Sequence, residues 1–83
     1  MTPPTIHLNG TSRESLLEGY NDAFHALHKA REALQDSAPN VRDYYVNPDA
    51  GAFARALTEH DARLEKLTAI MGEMTALADA ISE

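Results

Sequence analysis

The chain has 83 residues, no cysteine, and a net charge of -6 from 13 acidic and 7 basic side chains. That length allows one domain at most with a limited core, and the missing thiols exclude disulfides and thiolate metal sites. Net acidity argues against sequence-independent nucleic-acid binding, which works by neutralising phosphates, and no run approaches the ~18 apolar residues of a membrane span.

Residues 1–10 read as an extended arm. Pro3-Pro4 blocks helix, and Ile6-His7-Leu8 alternates apolar, polar, apolar before Asn9-Gly10. This opening lacks the basic start and apolar stretch of a signal peptide, so an intracellular chain is expected. A first helix over about 11–36 begins at Thr11, with Glu14 completing a capping box. Its apolar stripe is Leu16, Leu17, Tyr20, Ala23, Phe24, Leu27, Ala30 and Leu34. Gly19 weakens it by roughly 1 kcal/mol against alanine, which suits a close helix contact at that point. Pro39 restricts the residue before it and ends the helix. Residues 37–48 form a linker, and Asn47-Pro48 supplies a cap and a first-turn proline for a second helix over about 49–82.

The second helix carries the stronger pattern. Phe53, Leu57, His60, Leu64, Leu67, Met71, Met74, Ala78 and Ile81 keep an unbroken 4-3 spacing, which sets them on one stripe. A seam of that length must lie against another helix or another copy of itself. At 1.5 Å per residue the helix is ~50 Å long, two or three turns longer than the first. The surplus is expected at the C-terminal end, where Leu67, Ile70, Met71, Met74, Leu77 and Ile81 make a wide apolar face for the arm or a second protomer to cover. The predicted fold is therefore all-α. It is a long antiparallel two-helix hairpin, coiled-coil-like (residues 11–83), with an extended N-terminal arm (residues 1–10), assembled as a homo-oligomeric helical bundle.

Candidate chemistry is concentrated in the middle of the chain, where every basic residue except Arg13 lies between Lys29 and Lys66. His25 and His28 sit near each other on the first helix with Glu32 one turn on, and the hairpin brings His60 toward Leu27. Histidine and carboxylate at helical spacing is how bundles hold zinc or iron, but the repeated Glu-x-x-His signature is missing, so no metal or other cofactor is expected. His60 reads as a polar seam residue that fixes helix register. Arg55, Glu59 and Arg63 read as a solvated charge ladder. The linker stretch Arg42-Asp43-Tyr44-Tyr45-Val46 is richer than a connection requires. Tyrosine faces stack on bases and arginine offers a planar donor to phosphate. With Lys29, Arg31 and Arg55 at the same end of the hairpin, Arg42, Tyr44 and Tyr45 form a candidate site for a nucleotide-like anion. The competing reading has the tyrosines closing the end of a thin core and Arg42 paired to Asp43 or Asp49. No cysteine nucleophile, Gly-x-Ser-x-Gly elbow or phosphate-cradling glycine loop is present, so an enzyme is not expected.

The opening Ile6-His7-Leu8-Asn9-Gly10-Thr11-Ser12, together with Arg42-Asp43-Tyr44-Tyr45-Val46, resembles a group of small accessory proteins of tailed bacteriophages and prophages. The resemblance spans most of the chain and carries no binding residues to transfer. It implies a compact phage protein acting in the host cytoplasm against host defence. The expected role is sequestration of a nucleotide-type immune signal, or alternatively inhibition of one host defence protein or help in assembly. The expected partners are further copies of the chain and that ligand or protein, with no membrane and no non-specific nucleic acid.

Overall fold

In the computed structural model, which describes residues 1–82, helix α1 (Arg13–Asp36) and helix α2 (Ala52–Ile81) pack against each other. Residues 37–51 connect them through a short 3-10 turn, Val41–Asp43. There is no strand among the described residues. Residue Glu83 of the expected hairpin lies outside them.

Two cross-helix hydrogen bonds fix direction and register. Arg13 Nε donates to the carbonyl oxygen of Ile81 at 2.6 Å, and Arg31 Nε donates to Thr68 Oγ1 at 2.8 Å. The helices are therefore antiparallel, with the start of α1 level with the end of α2. This corrects the expected C-terminal overhang. The surplus of α2 lies at its N-terminal end, where the connection folds over it and the Tyr44 ring meets Phe53 with centroids 5.7 Å apart. The same register corrects the placement of His60. Counting from the two bonded pairs sets it level with residues between Leu34 and Pro39, ~9 Å or more along the axis from His28.

Both helix starts differ from the sequence expectation by local competition between side-chain oxygens. Ser12, not Thr11, caps α1, because its hydroxyl accepts from Ser15 N at 3.2 Å. At α2, Asn47 and Asp49 each fold into a local turn instead of capping a helix. Asn47 Oδ1 accepts from Asp49 N at 2.9 Å, and Asp49 Oδ1 accepts from Gly51 N at 2.9 Å. Such Asx turns satisfy backbone donors outside the helix, so α2 begins at Ala52 behind Gly51.

The seam forms as the 4-3 pattern requires but is only half covered. Ala52, Ile81 and His60 are buried, at 8%, 5% and 5% exposure, while Leu64, Leu67, Met71, Met74 and Ala78 are intermediate. Leu57 and Ile70 remain 36% and 40% exposed. The cause is shape. The molecule measures 62 × 19 × 18 Å with a radius of gyration of 18.6 Å, against ~12 Å for a compact domain of this length. A rod one helix pair thick encloses no side chain completely among the described residues. No helix among the described residues is long and apolar enough to cross a membrane.

Two positions work against stability. Gly19 is exposed, and a Cβ there would meet nothing within 4 Å, so the expected close helix contact is not formed. Gly19→Ala should raise the unfolding free energy by about 0.5–1 kcal/mol, measured by urea titration. His60 Nε2 is buried without a hydrogen-bond partner among the described residues. Because an orphaned buried polar atom costs about 1–3 kcal/mol, His60→Leu should raise the melting temperature. A lowered melting temperature would mean that Nε2 is satisfied by water or a neighbouring copy.

Candidate ligand site at the linker

The connection is ordered by its own side chains. Asn40 Oδ1 accepts from Arg42 N at 3.0 Å and opens the 3-10 turn. Tyr44 N then closes on Val41 O at 3.0 Å, and Asn47 N on Tyr44 O at 3.2 Å. This winding turns Tyr44 inward onto Phe53 and leaves Tyr45 74% and Val46 95% exposed. The two tyrosines therefore differ: Tyr44 closes the end of the seam, and Tyr45 presents a free ring.

The basic residues divide in the same way. The Arg42 side chain has no hydrogen-bond or ion-pair partner among the described residues, and neither does Lys29. Arg55, by contrast, folds back onto Asp49 as an ion pair. Asp49 thus takes Arg55 rather than Arg42, and the pair latches the turn ahead of α2 to its first turn. The Arg55 hydrogen bond, and then the Gly51 amide, hold the Asp49 carboxyl below its ordinary value, and Asp49 raises Arg55 in return. Arg55 therefore points away from the expected ladder, and Glu59 acts on it only through space. Arg31 is engaged with Thr68. Thr68 lies thirteen residues beyond Arg55 in α2, so Arg31 and its neighbour Lys29 stand ~20 Å along the rod from Arg55. Of the six candidate residues, Arg42, Tyr44, Tyr45 and Arg55 share the linker end, while Lys29 and Arg31 stand apart within one chain.

The histidines do not gather. His28 pairs with Glu32 at 2.8 Å on an exposed helix face, a geometry worth little in water. The His25 ring meets Phe24 edge-on, with centroids 5.7 Å apart. No group of three or more metal-ligating side chains forms among the described residues.

A concavity lies at the opposite end of the rod, where an apolar face for the arm or a second protomer was expected. It is an open groove of about 430 Å³ between α1, with Tyr20, Asn21, Phe24 and His25, and α2, with Thr75 and Asp79. The signal for it was present in the sequence. Asn21 and Asp79 are polar residues beside seam positions, next to an i,i+4 pair of aromatics. Comparison with protein-family models, curated proteins and solved structures finds no match.

The Asp49 latch has a pH signature. A carboxyl whose folded value is lowered contributes stability above its unfolded value, 3.8, and loses it as pH falls through the lowered folded value. Acidification below pH 3.8 should therefore loosen the first turn of α2. Protection of the Ala52–Arg55 amides relative to their intrinsic exchange rates should fall across that window, and Asp49→Asn should show the low protection at every pH.

Proposed function

We propose that this chain is a non-enzymatic phage accessory protein that binds and sequesters a nucleotide-type immune signal in the host cytoplasm. One observation carries the reading: on an ordered turn, the unpartnered Arg42 stands close in sequence to the 74% exposed ring of Tyr45. A planar cation and a free aromatic face are the pairing that nucleotides require, one for phosphate and one for base. Tyr44 supports the turn from beneath. Net acidity works against anion capture in the far field, so the contact must be short-range and rely on cations close by. Lys29 and Arg31, ~20 Å away in the same chain, serve the site when they come from a neighbouring copy.

Self-association belongs to this reading. The chain exposes 6103 Å², about 1,200 Å² more than a compact monomer of its mass. A standard interface takes about 800 Å² from each partner. The half-covered seam, including Leu57 and Ile70, is the apolar part of that surplus.

A second reading, inhibition by docking on a host effector, draws on Val41, Tyr45 and Val46, which stand 46%, 74% and 95% exposed in one turn. Exposed apolar side chains gathered in this way mark protein contacts as well as ligand sites.

Native mass spectrometry of protein purified from a defence-carrying host challenged with phage separates these readings. Sequestration gives an oligomer carrying extra mass of nucleotide size, released on heating. Arg42→Ala combined with Tyr45→Ala should remove that mass and leave the oligomer intact. Retention of the mass by the double variant would move the site elsewhere, and a bare oligomer that captures one host protein would favour inhibition.

A further inference from the structure

The groove between α1 and α2 lies far from the linker. Thr75 is twenty-three residues beyond Ala52, which sets the groove ~35 Å from the linker end along α2. We propose that it is a second ligand subsite, one that takes an uncharged planar heterocycle of the nucleobase type. The proposal rests in part on the nucleotide reading above and adds where a base is held.

Three features of the groove specify that class. Its volume of about 430 Å³ falls within the roughly 300–1,000 Å³ of small-molecule sites. Its α1 wall offers the rings of Tyr20 and Phe24, whose faces suit a flat aromatic ligand. No lysine or arginine lines it and the Asp79 carboxylate does, so a phosphate would find no permanent counter-charge there, while the His25 ring adds a further polar edge. The polar groups on the rim match the edge of a base. The Asp79 carboxylate only accepts, while the Asn21 amide both donates and accepts. Both side chains are exposed and have no hydrogen-bond partner among the described residues. Thr75 is less free, because its hydroxyl already donates to Met71 O at 3.3 Å. A heterocycle with N–H donors and ring-nitrogen acceptors satisfies Asp79 and Asn21 together while its faces rest on carbon. A purely aliphatic group would fill the volume and leave both polar groups unused.

The separation of the two subsites has a geometric consequence. One small ligand cannot reach both within one chain. Two hairpins lying antiparallel side by side bring the groove of one next to the linker of the other. A base in the groove then has its phosphate within range of the second copy's Arg42.

The test uses adenosine and guanosine, which lack phosphate, titrated into isotope-labelled full-length protein and followed by amide and side-chain chemical shifts. Saturable shifts are expected at Asn21, Phe24 and Asp79. Thr75→Trp, at an exposed rim position, should fill the groove and remove those shifts. Asp79→Ala should weaken binding about tenfold, the loss of one charge-assisted hydrogen bond. Absence of groove shifts with both nucleosides, or shifts that survive Thr75→Trp, would overturn the proposal. So would self-association that abolishes the nucleoside response at Asn21, Phe24 and Asp79, which would make a second copy the occupant. Failure of the linker reading appears separately, as loss of any Arg42 or Tyr45 response to nucleoside monophosphates.

Discussion

A helix in a two-helix hairpin has one neighbour, and this restriction governs the rest of the molecule. A seam residue touches the facing helix on one side and solvent on the other, however well its spacing follows the heptad. In this chain the restriction shows as a stripe of large apolar residues that are half covered along nearly its whole length. Only the ends and one polar position are closed off: Ile81 where α1 begins, Ala52 where the connection folds over, and His60 at the level where α1 stops. Hydrophobic burial is modest in such a rod. Its alignment therefore depends on directed contacts that a globular domain would find secondary. Arg13 to the carbonyl of Ile81 and Arg31 to Thr68 set the register. Asp49 with Arg55 sets where the second helix starts.

The helices were legible in the sequence because periodicity is a local property that tertiary context does little to change. The Phe53–Ile81 stripe and the Leu16–Leu34 stripe each became one face of one helix. Their relative alignment was not legible. Register depends on which arginine finds which oxygen across the gap, and neither Arg13 nor Arg31 announces its partner in the sequence. Placing the surplus turns of α2 at the wrong end, and His60 beside Leu27, are the same error seen twice. The caps failed for a different reason. Thr11 and Ser12 are adjacent hydroxyls, and the choice between them turns on which reaches an amide first, whereas the expected cap Asn47, like Asp49, spends its side chain on a turn ahead of α2.

The candidate site was legible in part. The linker stretch was noticed for its composition, and composition cannot distinguish an inward tyrosine from an outward one. That distinction between Tyr44 and Tyr45 comes from the winding of the 3-10 turn. Nor could composition show that Arg55 is occupied by Asp49 while Arg42 is free. The groove went unread because Tyr20 and Phe24 satisfied the helical stripe. A residue that explains itself as packing draws no further question, even when it packs on one side only.

The level alignment of Arg13 with Ile81 brings the arm and the last turn of α2 to one pole of the rod and leaves the linker alone at the other. The two poles therefore differ in how they tolerate attachment. A tether attached beside Arg13 or Ile81 lies on the groove side of the rod and leaves the Arg42–Tyr45 turn at the far pole. An insertion into the connection does the reverse. The choice of attachment point thus decides which end of the rod remains accessible.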